Sequence, residues 1–324
     1  MFEVILDNRD GTMWNISELI TSITWKTSRI GKAGSVDITF VDDPYWRNES
    51  FRFEVGNIVR VKKGETPLIL AYIFEVSEGL DRKVTLKCYD QTRYLMASDH
   101  YVEVNVTATE VIKTLAGRLE LKVGDLADTK YIIPKISEDA QKMMDIICKA
   151  LTETMTATLE TFVFYDDFGE LVLKSLQDMK VDRLVLGDNA QVSDYSKSVS
   201  IDNDTYNYII LAQDDKKAGI RNLYKAQDSS TIAKWGRLQV YDTVDEKYNV
   251  EQIKQLLDAR IKLSNRPTRK LSITALGDAR IRAGSSFRLQ LSAIGVDSDA
   301  VVTECTHKFE GNEHTMSLEV VVRE

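Results

Sequence analysis

Two of the three histidines in this chain lie close together in its last twenty residues, and they are the side chains best suited to bind a metal. His307 and His314 are accompanied by Glu304 and Glu310. Zinc sites on a helix place two ligands four residues apart on one face, whereas these histidines fall on two predicted strands that flank a turn. Their side chains could converge, but no third ligand has a fixed spacing. The pattern therefore favours an ordinary polar hairpin, and we expect no metal and no cofactor.

Pairs of neighbouring carboxylates are the other groups suited to chemistry. Asp166-Asp167 and Asp214-Asp215 could in principle supply the acid and the base for cleavage of a glycosidic bond. Both pairs lie in turn-like stretches, where acidic residues favour the local backbone geometry, so solvated turns are the simpler interpretation. The sequence contains no Gly-x-Ser-x-Gly elbow, no phosphate-binding Gly-x-x-x-x-Gly-Lys and no Cys-x-x-Cys. We therefore predict no catalytic residues and no enzymatic activity.

The elements that must position these residues are mostly short strands, and their pattern occurs twice. Residues 271–322 hold four segments of period-two alternation between Gly and Asp turn signals. Residues 55–61 match residues 283–289 in the order apolar, Gly, polar, variable, apolar, Arg, apolar, and each copy is followed by a strand, a Gly-containing turn and a closing strand. This self-similarity predicts one small β-barrel used twice. The predicted equivalences are Gly56 with Gly284 and Arg60 with Arg288.

Between the two copies the period changes to that of helices. Thr107, with Glu110 three residues later, predicts a capping box, and Ser137 predicts the start of a second helix. The segments 159–165 and 171–176 predict a hairpin. Asn249 predicts the cap of a further helix, which stops before Pro267.

These elements predict an α+β, mainly β protein. It has two similar small antiparallel β-barrels, an α+β domain of two helices and a hairpin between them, and a helical insertion in the second barrel. Tyr206 to Leu211 is predicted as an early strand of the second barrel. The predicted bounds are 1–98 for the first barrel, 99–180 for the α+β domain, 181–215 and 265–324 for the second barrel, and 216–264 for the insertion.

Composition and charge limit the class of protein further. The 324 residues, 43% hydrophobic and 28% charged, are enough for two or three domains with packed cores. The formal charge of −8 argues against a nucleic-acid-binding surface, which would be basic. The first residues lack the pattern of a secretory signal and no apolar run reaches the ~18 residues of a membrane span. We expect the chain to fold in a bacterial cytoplasm without membrane insertion.

The three cysteines are odd in number and far apart. Cys88, Cys148 and Cys305 each lie in an apolar strand or helix pattern. Each is predicted to be a small buried hydrophobic residue rather than part of a disulfide.

The order of these domains resembles the late control protein D family. The sequence likeness lies in residues 281–291, which include Arg282-Ala283-Gly284, and in residues 301–322, where His307 precedes Gly311. Members of that family are the baseplate hub proteins of contractile phage tails, of related tail-like bacteriocins and of secretion devices. The chain is also similar in size to the hub proteins of defective, Bacillus-type phage tails. No peptidoglycan-hydrolase or spike extension is recognisable, so the resemblance does not extend to cell-wall cleavage.

This resemblance implies a homotrimer in which each subunit contributes two similar barrels to a pseudo-sixfold ring. Such a ring joins the sixfold tail tube to the threefold central spike and continues the channel, in the baseplate of a virion or a bacteriocin tail. The implied partners are the tail tube protein, the spike protein, the tape-measure protein and other baseplate proteins. Because a conduit should repel nucleic acid, we expect carboxylates in the lumen, with Asp166-Asp167 and Asp202-Asn203-Asp204 as candidates.

Two other classes remain open from the sequence. A tail-associated cell-wall hydrolase would need convergent carboxylates in a cleft. A carbohydrate-binding module would need exposed aromatic side chains on one face. The four tryptophans, Trp14, Trp25, Trp46 and Trp235, are scattered along the chain and do not favour such a face.

Overall fold

Strands dominate this protein, as the alternating sequence pattern predicts. The computed structural model describes residues 2–43, 48–187, 191–202, 204–215, 219–244, 246 and 248–322. Strands account for 53% and helices for 20%, so the prediction of a mainly β protein is confirmed. Contacts divide the chain into two units, one of Met1–Ser196 with Ser272–Glu324 and one of Lys197–Leu271.

The first unit opens with seven strands whose inward side chains are apolar. Their ranges are β1 (Phe2–Asp7), β2 (Met13–Asn15), β3 (Ile20–Ser28), β4 (Ser35–Val41), β5 (Ile58–Lys63), β6 (Thr66–Glu78) and β7 (Lys83–Tyr89). The strands lie in the order β3-β4-β7-β6-β5-β1-β2 and pair antiparallel. Val36, Ile38 and Phe40 of β4 are fully buried while the residues between them are not. Period-two alternation thus supplies one face to the core.

An α+β section follows the first strands. Its elements are β8 (Ser98–Val106), α1 (Ala108–Arg118), β9 (Val123–Leu126), β10 (Ile133–Lys142), α2 (Met143–Thr158), β11 (Phe162–Asp166) and β12 (Leu171–Ser175). The predicted capping box of α1 is present, since the Glu110 N–H donates to Thr107 Oγ1 and the Thr107 N–H donates to the Glu110 carboxylate. The predicted hairpin is also confirmed, as β11 pairs antiparallel with β12.

The predicted helix start at Ser137 is wrong. Ser137 lies in β10, opposite Val102 of β8. The helix begins instead at Met143, whose N–H donates to the carbonyl of Ala97 at 3.0 Å, and no side chain caps it. A serine followed by an acidic residue starts a helix only where the backbone is free to coil. Here pairing with β8 already uses that backbone.

The second unit has its own small sheet and helix. The chain approaches it through β13 (Lys180–Gly187) and β14 (Val192–Ser200), and the unit contains β15 (Tyr208–Asp215), β16 (Ile220–Gln227), α3 (Ser229–Trp235), β17 (Gln239–Val244) and α4 (Val250–Ser264). The sheet order is β16-β15-β17. Asn249 caps α4 as predicted, and Ile253 and Leu257 of α4 cluster with Ile209 and Leu211 of β15.

The strand predicted at Tyr206 to Leu211 exists, but it does not pair with the strands predicted for the second barrel. It is the central strand, β15, of the small sheet in the second unit. Alternation of side chains identifies the buried face of a strand, but it does not identify the neighbour that the strand pairs with.

The last strands repeat the topology of the first ones. They are β18 (Thr268–Leu276), β19 (Ser286–Leu291), β20 (Val296–Glu310) and β21 (Glu313–Val322). The order β19-β20-β21-β18-β14 corresponds, strand for strand, to β5-β6-β7-β4-β3. We call these two five-strand sets the first and second strand repeats.

Matching backbone hydrogen bonds support this correspondence. The Gly56 N–H donates to the Ile73 carbonyl and the Gly284 N–H to the Val302 carbonyl, both at 2.8 Å. The two glycines have φ of +88° and +92°, in a region that disfavours residues with a Cβ. Arg60 and Arg288 are each the third residue of the strand that follows. The predicted equivalences are therefore confirmed in the topology.

The two strand repeats do not form separate barrels. The N-terminal part of β20 pairs with β19, whereas its residues 304–310 pair with residues 22–28 of β3. This pairing joins both repeats into a thirteen-stranded sheet within the described chain, and none of the sheets there closes into a barrel. The prediction of two barrels is not confirmed. Closing a barrel would require the edge strand of a repeat to pair within that repeat, whereas β3, an edge strand of the first repeat, pairs with β20 of the second.

No helix among the described residues is both long enough and apolar enough to span a bilayer. The three cysteines are free thiols; Cys88 and Cys305 are buried as predicted, whereas Cys148 on α2 is partly exposed. The prediction of buried cysteines thus holds for two of the three.

Candidate functional site at the junction of the strand repeats

The two histidines lie where the second strand repeat meets the first. His307 is on β20 and its ring stacks on Trp25 of β3, the residue opposite it in the ladder, with 5.0 Å between ring centroids. His314 is on β21 and stacks on Phe309, 4.0 Å away. His307 has no exposed surface. His307 is thus buried among aromatic side chains, whereas His314 packs on Phe309 and stays partly exposed.

The hydrogen bonds of these rings define their tautomers. His307 Nε2 lies 2.8 Å from the carbonyl oxygen of Ile281, and because a carbonyl only accepts, Nε2 carries the proton. His307 Nδ1 must then accept from His314 Nε2, 3.0 Å away. His314 Nδ1 in turn accepts from the Lys63 ammonium at 2.6 Å. Lys63, His314 and His307 form a chain of donors that runs from β5 to the segment before β19.

Burial keeps both rings neutral. It lowers the pKa of His307 to about 4. It also lowers the pKa of His314 to about 3, and the neighbouring His307 and Lys63 add to this effect. The pKa of Lys63 is lowered too, again by burial. Protonation of either histidine would remove the ring nitrogen that accepts a hydrogen bond from its neighbour, so the hydrogen bonds from Lys63 to His314 and from His314 to His307 require neutral rings.

The glutamates near the histidines do not join them. Glu304 pairs with Lys32 at 2.5 Å, and Glu310 pairs with Lys308 at 2.9 Å. Among the described residues, no three His, Cys, Asp or Glu side chains come together as a metal site would require. His100, the third histidine, is largely exposed beside Asp99. The predicted polar hairpin therefore contains two hydrogen-bonded histidines, of which His307 is buried and His314 is partly exposed.

A second buried polar cluster joins three distant parts of the chain. Arg282, in the segment before β19, stacks on the ring of Tyr165 at 3.7 Å, and its Nη2 donates to the Asp166 backbone carbonyl at 3.0 Å. The Asp166 carboxylate accepts from the Gly169 N–H and from Gln91 Nε2, both at 2.8 Å. The cluster thus ties the second strand repeat to the β11–β12 hairpin and to the short 3-10 helix that begins at Gln91.

Asp90 completes this cluster and caps that 3-10 helix. Its Oδ1 accepts from the Thr92 N–H at 3.0 Å and from the Thr92 hydroxyl. Burial raises the pKa of Asp90 to about 7, and the nearby Asp166 adds to the shift. Burial likewise raises the pKa of Asp166 to about 6. Both carboxyl groups therefore titrate close to neutral pH.

The interpretation of Asp166-Asp167 as a solvated pair is wrong for Asp166. Asp166 is 4% exposed, although Asp167 is exposed as expected. Asp214 of the other pair is bound by Arg221 in an exposed hairpin, and the side chain of Asp215 lies outside the described part of the chain. Both oxygens of Asp166 are occupied by protein donors. This use as an acceptor favours a structural role over acid–base catalysis.

Sequence reasoning missed Asp90, Lys63 and the burial of Arg282. Asp90 carried a usable signal, since Asp followed two residues later by Thr is a helix-cap pattern. Lys63 carried none, because its contact with His314 spans 251 positions of the sequence. Arg282 was noticed only as part of a motif, and its partners come from other elements.

The whole arrangement has the fold of phage tail proteins. The 43 kDa tail protein of prophage MuSo2 from Shewanella oneidensis aligns with a TM-score of 0.72, over 99% of this chain and 98% of its own, at 15% sequence identity. At that identity the likeness shows the fold alone.

Sequence comparison then gives the family. The model of the YqbQ-like family matches residues 23–321, and the chain belongs to that family. It is 30% identical to the uncharacterized protein YqbQ of Bacillus subtilis (strain 168) over 74% of this chain and 73% of that protein. It is 28% identical to protein XkdQ of the phage-like element PBSX of the same organism, over 81% and 82%. The resemblance to Bacillus-type phage tail proteins is confirmed.

Proposed function

We propose that this chain is a structural hub protein of the baseplate of a contractile phage tail or tail-like particle. The observation that carries the proposal is the strand repeat, in which five strands recur in the same order with the same glycine hydrogen bonds. Three chains with two repeats each would present six similar strand sets. A ring of that kind fits between a sixfold tube and a threefold spike. Membership of the YqbQ-like family and the likeness to XkdQ, a protein of the phage-like element PBSX, support the same setting.

The proposed partners follow from this position. One face of a homotrimeric ring receives the tail tube protein and the other seats the central spike protein, while the tape-measure protein and further baseplate proteins contact its surroundings. The ring is assembled in the bacterial cytoplasm and becomes part of a virion or bacteriocin tail. Its channel continues the tube, and it neither binds a specific nucleic acid nor inserts into a membrane.

Oligomeric state and symmetry test the proposal directly. Light scattering on the purified full-length chain should give about three times 36.8 kDa. With the tube and spike proteins added, the complex should contain three copies of this chain besides its partners. Negative-stain images should show threefold rings with six similar lobes. A chain that stays monomeric with both partners present, or rings of another symmetry, would refute the hub assignment.

Exposed apolar side chains on the strand repeats are candidates for the subunit contacts. Leu276 of β18 is 63% exposed and Val321 of β21 is 49% exposed. Leu276→Glu and Val321→Glu should shift the protein towards monomer, because each adds a desolvated charge to a contact between subunits that are already acidic. Val104→Glu, at a site 57% exposed on β8 outside the repeats, is the matched control and should leave the mass unchanged. Equal effects at all three sites would contradict this placement.

The charge of the lumen gives a further test. Three subunits of formal charge −8 carry 3 × −8 = −24, and close subunit contacts require this excess to lie on the lumen and solvent faces. Asp202 and Asp204 are exposed and remain candidates for the lumen; Asn203 lies outside the described residues. Asp166 is withdrawn because it is buried. A reconstruction whose channel is lined mainly by Lys and Arg would contradict the conduit.

We also infer that the chain acts without catalysis. The carboxylates of Asp90 and Asp166 accept hydrogen bonds from backbone and side-chain donors that hold the fold together. Purified protein should therefore leave the turbidity of a bacterial cell-wall suspension unchanged, with a known wall hydrolase as positive control. Clearance that is lost in Asp166→Asn would support a hydrolase instead.

A further inference from the structure

A cavity of about 120 Å³ lies beside the Asp90–Asp166–Arg282 cluster. It is bounded by the β3–β4 connection, by α2 and by β11. One wall is apolar and includes Met144, Leu151 and Met155 of α2. Another part of the lining carries Arg29 and Arg282 together with Asp90 and Asp166. A void of about 150 Å³ accommodates a molecule the size of benzene, so this one has room for a small organic group.

Arg29 lines this cavity with a partly exposed side chain. Its backbone is fixed, because its N–H donates to the Thr303 carbonyl at 2.9 Å. Its Nε is buried with no hydrogen-bond acceptor in the part of the chain that the structure describes. Burial lowers the pKa of Arg29, and no neighbouring carboxylate opposes the effect. A buried guanidinium N–H without an acceptor is unfavourable by the full desolvation of that group.

Arg282 repeats the same feature in the same part of the lining. Its Nη2 is bound to the Asp166 carbonyl, but its Nε also lacks an acceptor among the described residues. By contrast Lys32, another cation lining the cavity, is paired with Glu304. The unmet donors are therefore confined to the two arginines.

Three carboxyl groups lie near these arginines: Asp90 and Asp166 line the cavity, and the Asp167 carboxylate lies 3.9 Å from Arg282 Nη1. The two oxygens of Asp166 accept from Gln91 and Gly169, and Asp90 Oδ1 accepts from Thr92. Burial raises the pKa of each towards neutrality, so that near pH 7 part of their negative charge is absent. The Nε donors of Arg29 and Arg282 therefore remain unmet beside an apolar wall.

We propose that this cavity binds a carboxylate carried on a small apolar group, with the carboxylate on Arg29 and Arg282 and the apolar group against α2. The planar fork of a guanidinium matches a carboxylate, and the pair is a strong charge-assisted hydrogen bond. Leu151 and Met155 would cover a branched aliphatic group of about the size that the volume allows. The carboxylate is either that of a free acid or the chain end of a protein with an apolar last residue.

Calorimetric titration of the full-length protein tests this binding with two matched ligand pairs. Isovalerate is compared with isovaleramide, and N-acetyl-leucine, which mimics a chain end, with N-acetyl-leucinamide. We expect the carboxylates to bind at millimolar concentration and the neutral amides to fail. Binding of N-acetyl-leucine identifies a chain end as the source, whereas binding of isovalerate alone identifies a free acid. Absence of binding by both carboxylates, or equal binding by the amides, overturns the proposal.

Two arginine variants make the test specific. Arg29→Met should weaken carboxylate binding roughly tenfold to a hundredfold, the range expected for a lost charged hydrogen bond. Without ligand it should melt no lower than the parent, because it removes a buried Nε–H that has no acceptor among the described residues. Arg288→Met removes a guanidinium from an exposed ion pair with Asp297 and should leave binding within about twofold. Wild-type affinity in Arg29→Met would also overturn the proposal.

Discussion

Replacing Gly284 by Ala should destabilise the protein more than the same change at its equivalent, Gly56. Both glycines have φ near +90° and make the same backbone hydrogen bond. A Cβ at Gly284 would lie 2.6 Å from Cγ1 and 3.0 Å from Cγ2 of Val163, whereas a Cβ at Gly56 would meet nothing within 4 Å. The two sites therefore share the backbone penalty and differ in the packing penalty.

The magnitudes follow from these two penalties. A left-handed backbone disfavours an L-residue by about 1–2 kcal/mol, which is the expected loss for Gly56→Ala. Overpacking against the buried Val163 adds about 1–3 kcal/mol, so Gly284→Ala should lose roughly 2–5 kcal/mol. Val163→Ala removes both clashing methyl groups. In the double variant the extra loss at Gly284 should largely disappear, as a coupling of about 1–3 kcal/mol.

Urea denaturation, followed by far-UV circular dichroism, measures these differences. The single variants, the double variant and Val163→Ala alone complete the cycle, and unchanged m-values show that the midpoint shifts report stability. Equal losses at Gly56 and Gly284 would show that the Val163 contact has no energetic weight. Additive losses in the cycle would refute the steric reasoning even if the single variants differed.

Three further predictions concern titration and metals. The pKa of Asp90 is raised to about 7 in the fold, so its contribution to stability is complete below its unfolded pKa near 4 and is lost as the pH rises through 7. Asp90→Asn keeps the cap on Thr92 and should flatten the dependence of the melting temperature on pH between roughly 5 and 8. An unchanged pH profile would contradict the burial argument. The histidines affect the pH dependence of stability in the opposite direction, because their pKa values are lowered to about 4 and about 3. Their contribution to stability is present above about pH 6.5 and is lost as the pH falls towards 4. His314→Phe retains an aromatic ring beside Phe309 and should reduce the loss of melting temperature at acid pH, measured by thermal melts. A chelator should leave the melting temperature unchanged, and a fall of several degrees would reveal a structural metal.

Local signals in the sequence were sufficient for much of the fold. The Thr107–Glu110 capping box, the Asn249 cap and the β11–β12 hairpin all depend on residues within a few positions of one another. The strand repeat was also visible, since the glycine at the start of β5 and β19 is required by the backbone itself. Where the signal was local but the competing contact was distant, as at Ser137, the prediction failed.

The sequence by itself therefore determined the strand faces, two of the helix caps and the duplication. Only the tertiary structure decided that the repeats share one sheet through β3 and β20, because alternation defines the face of a strand and leaves its edge partner open. The tertiary structure also decided the protonation states of Asp166 and His307 at the candidate site. Burial raises the pKa of Asp166 to about 6, although hydrogen bonds from Gly169 and Gln91 and the charge of Arg282 oppose the shift. Burial beside Trp25 lowers the pKa of His307 to about 4, although the hydrogen bond to Ile281 opposes it. A pKa depends on solvation and on charges from every direction, and those neighbours are brought together only by folding.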